Sequence, residues 1–384
     1  MPGPTMSRLK PVRFLLPLVL LLSACGPRDL PAETVRSEKH AFRVVTLAEG
    51  LDHPWSVAFL PDGGALITER KGRLRLFREG RLAREPIAGV PPVYAANQGG
   101  LFDVLPHPDF ARNRFVYLAY AARSEGGAHT RVMRFRLETD GRSLTQPHMI
   151  FDAKPKASGG RHFGGRMVFD RAGFLYITVG ERGDMRRAQR LDDHSGSVIR
   201  LTADGRVPPD NPFVGRDGAL PEIWSYGHRN PQGIALHPDT GAVWAHEHGA
   251  RGGDEVNIVR GGRNYGWPVI THGIDYDGSK IGVGKAAPGM EQPLHYWVPS
   301  IAPSGMAFYR GDRFPDWKNS LFVGALRGEV LVRLQLDGDK VVHEERLLKD
   351  RLGRIRDVRT GPDGYLYLTQ DDSNGRLLRL EPVN

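Results

Sequence analysis

Beyond residue 40, short runs of alternating or continuous apolar residues recur on either side of compact turns. In the first instance, residues 55–60 and 65–68 flank Pro61-Asp62-Gly63-Gly64, and residues 73–77 form a third run. Runs of four to eight such residues bounded by Gly, Pro and Asp are typical of β-strands joined by tight turns. This segment therefore predicts a small antiparallel meander.

The meander pattern recurs five more times along the chain. The other copies cover residues 101–137, 165–201, 233–259, 305–336 and 355–380. Six repeats of three or four strands each are the sequence signature of a β-propeller. The pattern predicts an all-β chain folded as a six-bladed β-propeller over residues 41–384, with long inter-strand loops forming an active site at the central channel. Two stacked sandwich domains would give similar strand content and remain the alternative.

Composition supports a folded globular chain. Of 384 residues, 40% are hydrophobic and 25% are charged, and 47 Gly with 29 Pro favour many turns. Beyond the extreme N-terminus, no apolar run approaches the roughly 20 residues that a membrane-spanning helix needs. The net charge of +9 comes from scattered basic residues and not from a basic stripe. We therefore expect no nucleic-acid partner.

The N-terminus carries an export signal. Basic residues within residues 8–13 precede an apolar stretch at 14–22, which ends in Leu22-Ser23-Ala24-Cys25. This ending resembles the lipobox of bacterial lipoproteins, in which the cysteine is acylated. Cys25 is the single cysteine of the chain, so an internal disulfide is impossible. A plain cleaved signal with an incidental cysteine is the alternative.

The lipobox resemblance implies a division of the N-terminal region. Residues 1–24 would be a lipoprotein signal peptide, Cys25 the lipidation site, and the polar residues 25–40 a tether. We expect an exported protein on the periplasmic side, attached to a membrane through its N-terminal lipid. Gly26 after the cysteine resembles sorting to the outer membrane.

Between the strand runs lie glycine-rich polar segments that do not follow the repeat. Glycine lets the backbone approach a ligand closely, and Arg offers a rigid fork that matches carboxylates. These loops therefore suit a polyanionic planar ligand. They comprise residues 97–100, 160–165, 227–233, 247–257 and 354–356.

Four of these motifs carry a family resemblance. They are His-Phe-Gly-Gly-Arg at 162–166, Gly-His-Arg-Asn-Pro-Gln-Gly at 227–233, Gly-Gly-Asp-Glu-Val-Asn at 252–257 and Asn-Tyr-Gly-Trp-Pro at 264–268. Together they resemble the glucose/sorbosone dehydrogenase family, the soluble-type aldose sugar dehydrogenases. Members use pyrroloquinoline quinone (PQQ) and calcium on a six-bladed propeller. The resemblance covers roughly residues 42–382.

The resemblance implies roles for individual residues. His162 matches the catalytic base, for which a neutral imidazole is required. Arg229 and Asn230 match contacts to the quinone oxygens, where the Arg229 charge would also assist catalysis. Other cofactor contacts are implied for Gln98, Tyr276, Arg327, Arg354 and Arg356. Arg327 stands where relatives often carry lysine.

Calcium is implied at two places. The backbone carbonyls of Gly249 and Ala250 match ligands of the cofactor's ion, while the Glu255 carboxylate and the Tyr265 carbonyl match a second, structural ion. Oxygen donors of this mixed type are what a hard cation selects. A competing interpretation is zinc at His246-Glu247-His248, which lacks a convincing third ligand.

The implied activity is oxidation of an aldose sugar at C1 to the lactone. No Cys-x-x-Cys-His haem motif is present, so electrons would pass to a separate acceptor. One alternative is a calcium-dependent propeller lactonase or other hydrolase, which would not need an Arg-Asn cofactor clamp. Another is a non-catalytic recognition propeller, which would be expected to lose the His162 motif.

Overall fold

The computed structural model describes residues 1–3, 33–125 and 127–383. Most of the predicted signal peptide, Cys25 and the tether up to residue 32 lie outside the described residues. The folded unit begins at Glu33.

In this part of the chain, 25 strands form six antiparallel sheets. Blade 1 contains β3 (Pro54–Phe59), β4 (Ala65–Glu69), β5 (Arg73–Arg78) and β6 (Arg81–Leu82); blade 2 contains β7 (Leu101–Pro106), β8 (Phe115–Ser124), β9 (Gly127–Leu137) and β10 (Leu144–Asp152); blade 3 contains β11 (Met167–Phe169), β12 (Leu175–Val179), β13 (Ser197–Leu201) and β14 (Ile223–Tyr226). Blade 4 contains β15 (Pro231–Leu236), β16 (Val243–Glu247), β17 (Asp254–Ile258) and β18 (His295–Trp297); blade 5 contains β19 (Pro303–Phe308), β20 (Ser320–Ala325), β21 (Leu331–Asp337) and β22 (Lys340–Leu347).

Blade 6 joins the two ends of the folded unit. Its strand order is β1-β2-β25-β24-β23, formed by β23 (Ile355–Thr360), β24 (Leu366–Gln370), β25 (Gly375–Pro382), β2 (Ala41–Leu51) and β1 (Val35–Arg36). In the β2–β25 pair, Phe42 lies opposite Pro382 and Val44 opposite Leu380. The ring is therefore closed by backbone hydrogen bonds between strands at opposite ends of the sequence, which removes an unpaired sheet edge.

Strand β1 changes the predicted tether boundary. The sequence predicts a tether as far as residue 40, but Val35 is buried in the apolar cluster that also contains Phe42. Its burial removes apolar surface from water, and β1 pairs with the start of β2. Residues 33–40 therefore belong to the folded unit.

The inner strands β3, β7, β11, β15, β19 and β23 contact one another around the ring. Apolar side chains of neighbouring blades pack between the sheets; Trp55, Phe102 and Phe163, for example, belong to one buried cluster. Each blade has a neighbouring blade on both of its faces. A strand such as β4 is therefore buried along its whole length. This packing confirms the predicted all-β, six-bladed propeller.

Helical structure in the described residues is limited to α1 (Phe110–Asn113) and 3₁₀ turns at Met185–Gln189 and Pro315–Trp317. No helix among those residues has the length and apolar character needed to cross a bilayer.

Charged side chains fill the centre of the ring. The guanidinium of Arg166 lies 2.9 Å from Asp357 and 3.7 Å from Asp103, and it stands 4.0 Å over the ring of Trp55. Arg359 pairs with the same two carboxylates at 3.0 Å each. Buried charges are tolerated when they are paired in this way. The Arg166 Nε and Nη2 groups also donate to the carbonyls of Gln232 and Arg356, so this network holds two inner strands.

Candidate active site

The N-terminal ends of the inner strands surround a cavity of about 130 Å³. Residues from all six blades and the loops that adjoin them line it, and they include guanidinium groups, amide groups and aromatic rings. Of the residues singled out in the sequence, Gln98, Asn230, Arg354 and Arg356 are in this lining. The full set is Trp55, Arg70, Gln98, Phe102, Phe163, Gly164, Asn230, Gln232, His248, Leu326, Arg354 and Arg356.

His162 lies beside this cavity in contact with a carboxylate. Its Nδ1 is 2.5 Å from Oε2 of Glu181, and both side chains are buried. A neutral imidazole that donates Nδ1–H to the carboxylate leaves Nε2 as a hydrogen-bond acceptor. Burial lowers the pKa of His162 below its ordinary value; Glu181 opposes this effect, and the charges of Arg229 and Arg161 add to it. The imidazole is therefore neutral near pH 7 and can accept a proton.

The backbone of His162 is held in an unusual conformation. Its φ is +54°, in the left-handed region that β-carbon-bearing residues rarely adopt. The backbone N–H donates to Oε1 of Gln98 at 2.8 Å, and the Arg182 guanidinium donates to the carbonyls of Gly159 and Arg161, which both precede His162 in the loop. Such a conformation persists only where neighbouring groups enforce it.

Close packing against Gly180 completes this support. A β-carbon at Gly180 would lie 2.2 Å from the carbonyl oxygen of His162 and 2.8 Å from Oδ1 of Asn230. Only glycine leaves room for both groups. The end of β12 thus lies directly beneath the His162 loop and the Asn230 amide.

Arg229 is not in the lining of this cavity but lines a second, smaller cavity together with His248. Its Nη1 donates to the His248 carbonyl and its Nη2 to the Tyr276 hydroxyl, both at 3.3 Å. The guanidinium also stands 5.2 Å from the Trp267 ring, while its buried Nε has no hydrogen-bond partner in the described residues. An unsatisfied buried donor of this kind is costly unless a ligand oxygen accepts from it.

His228, which precedes Arg229, has an internal packing role. Its Nδ1 lies 2.8 Å from Oε1 of Glu247 and its Nε2 lies 2.9 Å from Oγ of Ser225. The ring stacks on Tyr265 at 4.5 Å. The second Glu247 oxygen accepts from the backbone N–H of Arg229. Glu247 and His228 therefore set the backbone position from which the Arg229 side chain extends.

Arg354 and Arg356 reach one shared carboxylate. Oδ2 of Asp371 accepts from Nη2 of Arg354 at 2.9 Å and from Nη2 of Arg356 at 3.0 Å, while Oδ1 lies 2.9 Å from Nδ1 of His53. Burial alone would raise the pKa of Asp371, but the two guanidinium charges outweigh it and lower that pKa. Two cations with one carboxylate leave local positive charge, and the Arg356 Nε has no partner among the described residues. This corner of the cavity suits an anionic group.

A second cavity, of about 10 Å³, lies between Arg229, Gly249, Glu255 and Tyr265. Burial and, after it, the nearby Glu247 carboxylate raise the pKa of Glu255 to about 8. Two carboxylates brought together in a buried place disfavour each other's charge unless a cation lies between them. The donor set fits a hard cation such as Ca²⁺.

The loop that would supply backbone ligands is held by Asp254. One Asp254 oxygen accepts from the N–H of Gly249 at 2.8 Å, and the other accepts from the N–H groups of Ile301 and Ala302 at 2.8 and 3.0 Å. A β-carbon at Gly249 would lie 2.2 Å from the Gly252 carbonyl oxygen, so the loop is tightly folded. Ala250 follows within it and is buried.

The structure does not support the alternative zinc site at residues 246–248. Among the described residues no group of three or more His, Cys, Asp or Glu side chains could hold a metal ion. His248 Nε2 lies 2.6 Å from the Pro303 carbonyl oxygen, and the His246 ring is packed against Gly233. A calcium ion would instead require backbone carbonyl ligands in addition to carboxylates.

Arg327 is the outlying member of the predicted set. Its side chain is exposed and is in neither cavity lining, while its backbone N–H donates to the Ile301 carbonyl at 3.1 Å. The neighbouring Leu326 is the residue of this turn that lines the central cavity.

Sequence reasoning missed Glu181, Arg182, Glu247 and Asp371. A signal for the first two exists in Gly180-Glu181-Arg182-Gly183, a charged pair between glycines immediately after β12. Asp371 similarly follows the end of β24. For Glu247, the sequence predicts a possible place in a zinc site but not its contacts with His228 and the Arg229 backbone.

The fold and the site together define a six-bladed propeller of the oxidoreductase class. Relatives support this class. The chain is 49% identical over 375 residues to the aldose sugar dehydrogenase YliI of Escherichia coli, covering 97% of this chain and 98% of that protein. A crystal structure of a glucose dehydrogenase matches with 57% identity and a TM-score of 0.86, covering 88% of this chain and 98% of the other.

A third similar structure is the PQQ-bound aldose sugar dehydrogenase of Streptomyces coelicolor. It shares 30% identity with a TM-score of 0.74, over 88% of this chain and 98% of that one. The sequence profile described as Glucose / Sorbosone dehydrogenase matches residues 51–379. The chain belongs to the glucose/sorbosone dehydrogenase family, as the motif resemblance predicted.

Proposed function

We propose that the protein oxidises aldose sugars at C1 to the lactone in a reaction that depends on PQQ and Ca²⁺. The observation that carries the proposal is the buried His162–Glu181 pair beside a cavity whose lining includes the unsatisfied Nε of Arg356. The PQQ-bound relative from Streptomyces coelicolor supports the choice of cofactor.

The chain's own contribution to the chemical step is proton removal. With Nδ1–H engaged by Glu181, Nε2 of His162 accepts the proton of the C1 hydroxyl. The C1–H bond breaks with its electron pair, and the C1–O bond becomes a carbonyl. The sugar loses two electrons and two hydrogens, and Glu181 stabilises the imidazolium that forms.

When bound, PQQ supplies the two-electron acceptor for the C1 hydride, and Ca²⁺ polarises its carbonyl as a Lewis acid. The residues present fit a planar polyanion. Arg354 and Arg356 would hold carboxylates, since their charge exceeds that of Asp371. Gln98 and Asn230 would supply polar contacts from the cavity wall. Arg229 would stabilise negative charge on a quinone oxygen through its unsatisfied Nε.

Calcium would lie near the loop that contains Gly249 and Ala250, with a structural ion at Glu255 and the Tyr265 carbonyl. The support is the cavity whose lining includes Glu247, Gly249, Glu255 and Tyr265, together with the raised pKa of Glu255. A divalent cation there would offset the repulsion between the two carboxylates.

The direct experiment is dye-linked oxidation of glucose by purified protein, with PQQ and Ca²⁺ added separately and together. The proposal predicts lactone formation and dye reduction only with both additions. Activity without PQQ, or lactone hydrolysis in place of sugar oxidation, would contradict it.

We also propose that the protein is exported and held on the periplasmic side by a lipid on Cys25, most naturally at the outer membrane. The support is the Leu-Ser-Ala-Cys sequence at 22–25. A lipoprotein carries several acyl chains, which anchor far more firmly than one. Cys25→Ser should move the protein from the membrane fraction to the soluble fraction. Recovery of wild-type protein in the soluble periplasmic fraction would contradict the anchor.

A further inference from the structure

Four exposed apolar side chains lie together beside the candidate active site. They are Ile274, Tyr276, Tyr296 and Val298, with 41%, 62%, 45% and 59% of their surfaces accessible. We call these four residues the mouth patch. A contiguous apolar surface on a soluble domain marks an interaction site more often than scattered single residues do.

The backbone segments that carry the patch are joined to one another through one loop. The backbone N–H of Arg251 donates to the Ile274 carbonyl at 2.9 Å, and the N–H of Gly253 donates to the Trp297 carbonyl at 2.8 Å. Between them, the Val298 side chain lies against Gly252, 3.3 Å from where its β-carbon would be. The loop 251–253 therefore joins the segment of Ile274 and Tyr276 to strand β18.

The patch is continuous with the site. The hydroxyl of Tyr276 accepts from Nη2 of Arg229 at 3.3 Å, so this side chain runs from the buried guanidinium to the surface. Gly253 of this loop and the nearby Gly249 are both in the lining of the cavity beside Arg229. A partner bound to the mouth patch would therefore be close to Arg229, which the proposed function assigns to a quinone oxygen of the cofactor.

Charge around the patch is more positive than negative. Arg251, Lys280 and Lys285 are exposed on the same segments, against the carboxylates of Asp275 and Asp277. The whole chain also carries a net charge of +9, and it stays positive without Arg8, Lys10 and Arg13 of the predicted signal peptide. Such a surface attracts an acidic partner and disfavours a second copy of this chain.

The chemistry of the patch argues against an oligosaccharide. Sugar rings stack on exposed aromatic faces, but one face of Tyr296 is covered by the His272 ring at 3.9 Å and 16°, and the hydroxyl of Tyr276 is held by Arg229. Ile274 and Val298 are aliphatic and offer no ring face. Aliphatic and aromatic groups with a basic rim are instead typical of small protein–protein interfaces.

We propose that the mouth patch is the docking surface for an acidic electron-transfer protein with an exposed haem edge. The inference rests on the proposed function, which delivers two electrons per sugar to an acceptor outside this chain. Two haem proteins would each take one electron, their ferric irons becoming ferrous, and the two protons would pass to solvent. Redox encounters of this kind bury small interfaces, of less than about 1,200 Å².

The test compares two acceptors for the same holoenzyme: a small dye, and a soluble monohaem c-type cytochrome of net negative charge. Val298→Glu and Ile274→Glu place a carboxylate within the patch, and Val342→Glu is the matched control because Val342 is 54% exposed on the outer strand β22. Both patch variants should reduce the dye at wild-type rates and lower kcat/KM for the cytochrome by about tenfold. Val342→Glu should change neither rate.

Salt dependence gives a second measurement. Cytochrome reduction by the wild type should slow as ionic strength rises, and Lys285→Glu should weaken that dependence. Wild-type cytochrome rates in both patch variants, or an equal loss in Val342→Glu, would overturn the proposal. So would dye activity without cytochrome reduction by the wild type, a changed KM for maltotriose in the patch variants, or dimers that the patch variants abolish. Absence of dye reduction by the wild type would instead defeat the proposed function itself.

Discussion

Nδ1 of His162 lies 2.5 Å from Oε2 of Glu181, although 19 residues separate them in the chain. His162 precedes strand β11 and Glu181 follows strand β12, so the antiparallel hairpin brings the two side chains together. The carboxylate selects the tautomer of the imidazole and its orientation toward the cavity. A base and the group that orients it are thus built on one rigid element.

Glu181→Gln should lower kcat by roughly 10²-fold, because the imidazole loses its fixed tautomer and the charge that stabilises its protonated form. Glu181 raises the pKa of His162, so its loss should also lower that pKa and shift the acidic limb of the pH–rate profile to lower pH. Steady-state dye reduction across pH measures both effects. Asp192→Asn, at an exposed carboxylate, is the control. An unchanged profile in Glu181→Gln would contradict the orienting role.

Arg182→Met should weaken the loop that carries His162. The change keeps much of the packing on Phe163 but removes the donors to the Gly159 and Arg161 carbonyls. Buried carbonyls left unpaired cost about 1–3 kcal/mol of unfolding free energy. Denaturant unfolding should show that loss, together with a lower kcat. Arg186→Met, at an arginine that is almost fully exposed, should change neither quantity.

Arg229 and Arg354 should differ in what they affect. Arg229→Ala should lower kcat more than PQQ affinity, since its charge matters most as negative charge develops on the quinone oxygen. Arg354→Ala should mainly weaken PQQ binding, because it removes part of the excess positive charge around Asp371. PQQ titration and saturated turnover separate the two effects. Wild-type values of both quantities in both variants would place the cofactor elsewhere.

Ca²⁺ should stabilise the protein by binding at the proposed structural site beside Glu255. A ligand that binds only the folded state at a hundred times its Kd adds about 2.7 kcal/mol to the free energy of unfolding. We expect the Tm of the wild type to rise with added Ca²⁺ and to fall with a chelator. Glu255→Gln should reduce that rise with a smaller effect on kcat. A Ca²⁺-induced rise of equal size in the variant would remove Glu255 from the binding site.

Local patterns made the propeller predictable. Each blade is a meander in which strands adjacent in sequence pair with each other. A turn such as Pro61–Gly64 with an apolar run on either side is therefore enough to predict which strands pair. The closure of blade 6 was not predictable in this way, because β2 pairs with β25 from the other end of the folded unit. The short strand at Val35 escaped for a different reason, because it is only two residues long and its neighbours are polar.

The residues of the candidate site also fall into two groups, those recognisable from local sequence and those brought together only by the fold. Residues within the glycine-rich motifs, such as His162 and Asn230, stood out from the repeat. Glu181 and Asp371 did not, because each acquires its partner only when a hairpin or a blade brings a strand end to the cavity. Arg166 belongs to a recognised motif, but its pairing with Asp357 requires the ring to close.

The most direct test of the account is the pH-dependent kcat of His162→Gln, measured by dye-linked aldose oxidation with PQQ and Ca²⁺ bound. Burial lowers the pKa of His162, so the wild type should lose activity only below a pKa lying under the ordinary value of about 6.5, and should be fully active near pH 7. Glutamine keeps hydrogen bonding but removes the base, and kcat should fall by roughly 10² to 10⁴-fold without that limb. A folded, PQQ-loaded His162→Gln variant that oxidises aldoses at near wild-type rates would contradict the central claim.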